Sequence, residues 1–306
     1  MKDHILKYVA LCCLCVRTRP LTAEMLSEQG TLMELQTGPD VDQSLASADY
    51  VKVQNVSMEA AVQKLGAQVS SRLSMLIRIP LNLSPNSVDD MYYGCSQKML
   101  IKVKRFYLPK STREGLYDTY TKLCAIKAMK NKDIYDPLSW NHFKALCAYT
   151  AGSYDSLNQA VRTGKSTYKT SFQFHALHFL LSDAIRLLKL NQRGCYTTYR
   201  RSKLLFEGAP GQIIRFGSFA SSSLDKDLRH FGRTTCFEIH TCYGAYLKAY
   251  SEFDADEDEV LIPPYEMFRI VSVDMSGENH LRCGVFYKLE TAGVYSSLNC
   301  QDVAGV

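Results

Sequence analysis

The densest run of ionisable side chains is Glu252, Asp254, Asp256, Glu257, Asp258 and Glu259, followed by Val260-Leu-Ile and Pro263-Pro264. Runs of like charge ordinarily mark a solvated loop. A calcium loop would place its first three ligands at Asp254, Asp256 and Asp258, but its sixth position needs Gly and its twelfth Glu. Those positions hold Glu259 and Tyr265, which excludes it. At the entry to a strand, Glu257 and Glu259 share one face, about 6.5–7 Å apart. Two carboxylates so placed can divide labour, one against a sugar cation and the other on a nucleophile.

Two other segments bear on this pair. Cys195-Tyr-Thr-Thr-Tyr199-Arg200 puts an arginine at the end of a short β-prone run. Such an arginine is a solvated surface group or, partly buried, a partner for carboxylate or phosphate. Arg215-Phe-Gly-Ser-Phe219-Ala-Ser221-Ser-Ser223 sets hydroxyls between aromatics. These either cap a turn or orient a carboxylate.

Positioning these residues requires a framework. Residues 86–190 read as largely helical, with Phe174, Leu177, Leu181, Ala184, Ile185 and Leu188 forming one apolar stripe. His175 and His178 lie beside it, three apart and without a neighbouring Glu, so they read as packing or surface histidines rather than zinc ligands. After Gly194, strands are expected at 213–216, 234–239, 260–262, 268–273 and 284–289. Helices followed by strands predict an α+β fold. Neither G-x-x-x-x-G-K-[ST] nor G-x-G-x-x-G occurs, which disfavours P-loop and Rossmann enzymes.

The 306 residues are 46% hydrophobic and 22% charged with net charge +5, a globular composition too mildly basic to argue for nucleic acid. Lys2, the apolar run 5–16 and Leu21-Thr-Ala23 read as a signal peptide over 1–23, giving a secreted product with no lipid-anchor tail after Cys300. Asn55-Val-Ser57 and Asn82-Leu-Ser84 are glycosylation sequons. Residues 24–79 form an extension of unread role, with an amphipathic helix expected at 58–73.

Arg200, then Phe219-x-Ser221-x-Ser223, then Glu257-x-Glu259-Val-Leu-Ile-Pro-Pro, in this order, resembles the arginine-specific mono-ADP-ribosyltransferases of vertebrates. Matching flanks include Asn86-Ser-Val-Asp-Asp-Met-Tyr-Tyr-Gly-Cys95, Ala148-Tyr149-Thr150, Leu157-Asn158-Gln-Ala-Val-Arg162, the segment 234–244 and Ser296-Ser-Leu-Asn-Cys300. The resemblance implies a domain over 80–303, with a helical N-terminal portion packed on a core of two β-sheets. It implies transfer of ADP-ribose from NAD, as co-substrate and without a metal, to an exposed arginine of a target protein. An NAD glycohydrolase or a non-catalytic binding protein of the same fold are the alternatives.

By the same resemblance, Arg200 holds the NAD diphosphate and Ser221 orients the catalytic carboxylate. Glu259 takes the ribose hydroxyl, and Glu257 engages the incoming arginine. Phe231 is a candidate for packing near nicotinamide, with core packing as its plainer role. Arg201 departs from the family, which carries glycine there, and implies weaker activity or competing hydrolysis of NAD. Disulfides Cys95–Cys300 and Cys195–Cys242 are implied, in an oxidising compartment. Cys124, Cys147, Cys236 and Cys283 are left as buried free thiols.

Overall fold

The structure, a computed structural model, describes residues 78–114, 118–252 and 258–303. The expected leader, the 58–73 helix and the Asn55 sequon lie outside them. Asn82 is inside and exposed.

The first half is helical. Helix α1 is Ser96–Lys102, α2 Thr119–Lys130, α3 Trp140–Ala148, α4 Tyr154–Thr163 and α5 His175–Lys189. Local chemistry sets their ends. The Asp118 side chain accepts from the Thr121 amide at the start of α2, and Ser139 and His142 form a reciprocal cap on α3. The apolar stripe read over α5 is its core face: Leu177, Leu181, Ala184, Ile185 and Leu188 are fully buried. Apolar residues at three- and four-residue spacing put that face inward by the hydrophobic effect. His178 is fully buried there, its Nδ1 accepting from the Tyr92 hydroxyl at 2.7 Å and its Nε2–H donating to Val88 O at 3.0 Å. Both ring nitrogens are therefore taken, as a packing role requires.

The second half supplies the strands. They are β1 Arg78–Pro80, β2 Tyr196–Ser202, β3 Leu205–Glu207, β4 Ile213–Ile214, β5 Ala220–Ser223, β6 Thr235–Thr241, β7 Ala245–Tyr246, β8 Glu259–Ile262, β9 Glu266–Asp274 and β10 Val285–Val294. Strands β1 and β3 form a small parallel sheet, and the other eight run in the order β4-β9-β10-β6-β2-β5-β8-β7. The α+β expectation holds. The expected strands are present with shifted ends, and the Ser221–Ser223 run is itself a strand rather than a cap.

One apolar core lies among the helices and reaches Phe219, Ala245 and Leu261; a second, around Ile214, Phe237, Phe268 and Tyr287, lies on the sheet. A buried ion pair closes the domain: Arg215 Nη1 meets Asp89 Oδ2 at 2.7 Å. Arg215 also donates to Leu83, Ser84 and Tyr295 carbonyls, while Asp89 accepts the amides of Ser297 and Leu298. These bonds satisfy two charges that burial would otherwise penalise.

Among the described residues four disulfides are formed: Cys95–Cys300, Cys124–Cys147, Cys195–Cys242 and Cys236–Cys283. The first and third are the implied pairs. The other two overturn the reading of Cys124, Cys147, Cys236 and Cys283 as free thiols. Each links residues distant in sequence, one across α2 and α3 and one from β6 to the segment before β10, and no local spacing announces such partners.

Candidate active site

Three neighbouring strands carry the three segments singled out above. Strand β2 brings Arg200, β5 brings Ser221 and Ser223, and β8 opens on Glu259. Their register is specific. Tyr199 pairs with Ser223, and Ser223 pairs with Glu259. Directly paired residues share a face, as do residues two apart, so Ser221, Ser223 and Glu259 lie together on one side of the sheet. Tyr199 shares that face; Arg200 leaves β2 on the other and reaches the β5 backbone, its Nη1 donating to the Ser221 carbonyl at 2.6 Å. Ser222 points to the other face and binds the Val260 carbonyl at 2.9 Å, which locks β5 to β8.

Glu259 is 5% exposed, and its backbone is fixed from two sides. Its carbonyl accepts the Leu247 amide at 2.8 Å. The preceding Asp258 has φ 43°, a left-handed turn that Asp tolerates better than most residues. Asp258 takes the Leu224 amide on its carbonyl at 3.1 Å and the Tyr246 hydroxyl on Oδ1 at 2.9 Å. The turn that delivers Glu259 into β8 is thus tied to both β5 and β7.

A fourth side chain reaches the trio from the helices. Tyr149, next after α3, is 2% exposed. Its hydroxyl donates to the Phe219 carbonyl and accepts from Asn158 Nδ2, both at 3.2 Å. It also meets the Ser221 side chain and lies within electrostatic reach of Glu259 and Arg200. Burial pushes its pKa up to about 12, so it stays a neutral hydrogen-bonding phenol. Sequence reasoning gave Tyr149 and Asn158 no role. Nine residues apart across a helix junction, they carry no spacing signal, and only the strand packed against them reveals their partner.

Glu257 lies outside the described residues. Phe231 ends a short 3-10 turn, Arg229–Phe231, and is 45% exposed against the His230 ring. Its plainer role in core packing is therefore excluded. Arg201 leaves the opposite face of β2 from Arg200 and is buried against the Cys236–Cys283 disulfide.

Cys195, His240 and Cys242 bring ligand-type atoms within 4.8 Å of one another, but the two sulfurs are joined to each other. A metal would need thiolates there, so the disulfide state does not fit one. The bridge instead joins the residue before β2 to the residue after β6. The buried Glu266 carboxylate holds that turn, accepting from Thr241 Oγ1, Thr291 Oγ1 and the Cys242 amide.

The comparisons with known proteins agree with this geometry. Residues 81–282 match the family model of the NAD:arginine ADP-ribosyltransferases. NAD(P)(+)–arginine ADP-ribosyltransferase 2 of Gallus gallus is 33% identical over 235 residues, covering 74% of this chain and 73% of the relative. Ecto-ADP-ribosyltransferase 4 of Homo sapiens is 32% identical over 240 residues, covering 74% of each. The crystal structure of the eukaryotic mono-ADP-ribosyltransferase ART2.2 superposes with a TM-score of 0.61 at 30% identity, over 72% of this chain and 98% of that one. With the arginine, serine and glutamate on adjoining strands and the family model spanning two thirds of its length, the chain belongs to the NAD:arginine ADP-ribosyltransferase family.

Proposed function

We propose that this protein transfers ADP-ribose from NAD to arginine side chains of target proteins, releasing nicotinamide. The observation that carries the reading is the convergence of Arg200, Ser221 and Glu259 on β2, β5 and β8.

The residues fit NAD chemically. Arg200 spends one nitrogen on the Ser221 carbonyl, and the rest of its planar fork suits a diphosphate. NAD, when bound, supplies the ADP-ribosyl group and the nicotinamide that departs. Glu259, fixed at the start of β8, accepts a hydrogen bond from a ribose hydroxyl and offsets positive charge that develops on the sugar. Ser221 sits between Tyr149 and Arg200 on the face of Glu259 and orients that carboxylate. Phe231, exposed on its turn, offers a ring to the nicotinamide side. Glu257 polarises the incoming guanidinium, whose pKa above about 12 makes it a poor nucleophile unaided.

Among the described residues no helix is long and apolar enough to cross a membrane. The four disulfides among those residues fit an oxidising compartment. The layout we infer is a signal peptide over 1–23, an extension over 24–79 and the transferase domain over 80–303, in a secreted product.

Incubation with labelled NAD and a small guanidino compound tests the reading. A labelled guanidino adduct is expected. Free ADP-ribose alone would reject transfer in favour of hydrolysis, and intact NAD would reject the enzyme reading altogether.

A further inference from the structure

Arg201 stands beside the diphosphate-binding candidate yet faces away from it, and its surroundings are unusual for a guanidinium. It is 8% exposed, and all of its hydrogen-bond acceptors are carbonyls or sulfurs. Nε and Nη2 both donate to the Lys226 carbonyl, at 3.0 and 2.6 Å. Nη1 donates to the Leu281 carbonyl at 3.1 Å and lies 3.6 Å from Cys236 Sγ and 3.4 Å from Cys283 Sγ. Burial lowers its pKa from the usual guanidinium range, although an arginine remains charged at neutral pH. Burying a charge is costly, and the bonds to the Lys226 and Leu281 carbonyls offset part of that cost while tying Arg201 to both segments.

The loop in question runs from Leu224 to Gly232 between β5 and β6 and carries Phe231. At its start, the Leu224 amide is held by Asp258, the neighbour of Glu259. At its end, Gly232 has φ 144°, and a Cβ there would lie 2.3 Å from the Ser202 carbonyl carbon, so the chain presses on the end of β2. Between these anchors, the bond from Arg201 to Lys226 fastens the loop to the sheet. The Cys236–Cys283 bridge and Leu281 brace the guanidinium from behind.

We infer that Arg201 is a positioning residue, a strut from the Cys236–Cys283 disulfide to the Leu224–Gly232 loop that sets Phe231 at the NAD site. This rests on the function proposed above. It accounts for an arginine at this position: the bulky side chain leaves β2 on the opposite side from Arg200 and supports the loop there.

The test compares wild type with Arg201→Gly, Arg201→Met and Arg201→Lys, all with disulfides intact. Two readouts are taken: NAD kinetics with a small guanidino acceptor, and amide hydrogen exchange without ligand. Loss of the paired bonds should raise KM for NAD about five- to tenfold with kcat within about twofold. Exchange should rise within 224–232 and 279–283 and stay unchanged in α5. Arg201→Lys, which can still donate to Lys226, should recover part of both effects. Unchanged exchange in 224–232, or a rise spread over the whole domain with kcat and KM falling together, overturns the strut. Absence of turnover in wild type would instead sink the proposed function, because the exchange readout needs no substrate.

Discussion

The Arg200 guanidinium donates to the backbone carbonyl of Ser221 at 2.6 Å, so the diphosphate candidate and the carboxylate-orienting candidate are one mechanical unit. Strands β2 and β5 share only the Tyr199–Ser223 pairing, which leaves this side-chain bond as a main link between them at the site. The geometry predicts that lysine is a poor replacement. An ammonium has no planar fork to hold Ser221 and a phosphate at once. Arg200→Lys is expected to raise KM for NAD at least about tenfold, equivalent to about 1.4 kcal/mol. The melting temperature should stay within a few degrees of wild type, and steady-state kinetics with thermal melts check both.

Tyr149 supplies the next prediction. Its hydroxyl joins Asn158 on α4 to the Phe219 carbonyl at the edge of β5. Tyr149→Phe keeps the ring packing against Phe219 but strands both partners in a buried site. A loss of about 1–3 kcal/mol in chemical denaturation is expected. Because Ser221 loses its neighbour, kcat should fall more than KM rises, and Asn158→Asp should not reproduce that kinetic split.

Stability against acid carries a compensating pair. Burial raises the Asp90 pKa from 3.8 to about 6, and burial lowers the His178 pKa from 6.5 to about 4. For Asp90, the folded state binds more protons between pH 3.8 and 6, so stability rises as pH falls through that window. For His178, the unfolded state binds more protons between pH 6.5 and 4, so stability is lost as pH falls through that window. Each amounts to about 3 kcal/mol, and the two offset one another between pH 4 and 6. Both touch Tyr92, Asp90 through the Tyr92 amide and His178 through its hydroxyl. Asp90→Asn should expose a steep loss of stability towards pH 4, and His178→Gln a gain. Urea midpoints at pH 4.5, 5.5 and 7 measure this, and parallel curves for all three proteins would contradict it.

The disulfides should differ in weight. Cys95–Cys300 closes a separation of 205 residues and Cys124–Cys147 one of 23. By loop-closure entropy, the first restricts the unfolded chain by about 5 kcal/mol and the second by about 3. Paired alanine variants compared by denaturant midpoint should rank in that order. The reverse order would place the stabilisation in native packing instead.

Much of this site was legible before any coordinates. One reading of the acidic run put Glu259 at the entry to the expected strand 260–262, and β8 begins at Glu259 itself. The family resemblance of the ordered motifs named Arg200 and Ser221. Residues whose chemistry depends on a short local pattern could be read. What escaped depends on partners far along the chain. Tyr149 acquires its role from Phe219, 70 residues on, and Cys236 from Cys283, 47 residues on. The three serines were ambiguous because hydroxyls favour turns as well as edges. Only pairing with β8 on one side and β2 on the other makes them a strand. The core-packing reading of Phe231 failed for the converse reason: an aromatic residue suggests burial, yet a three-residue turn leaves it 45% exposed.

The last prediction separates the two glutamates. Glu259 is the first residue of β8, buried and beside Ser223, and is the carboxylate proposed to act on the sugar. Glu257 precedes it by two residues in the acidic segment and is assigned to the acceptor. Loss of nicotinamide needs charge stabilisation on the ribose, which the proposed function assigns to Glu259. Attack by a guanidinium needs a base as well, whereas water can attack without one. Glu259→Gln should therefore abolish both transfer and hydrolysis, by about a hundredfold or more if the carboxylate supplies a typical electrostatic contribution. Glu257→Gln should cut transfer comparably while NAD hydrolysis persists, which the ratio of labelled adduct to free ADP-ribose reports. Equal loss of both reactions in the two variants would mean that the carboxylates act jointly on the sugar, and the division of labour would fall.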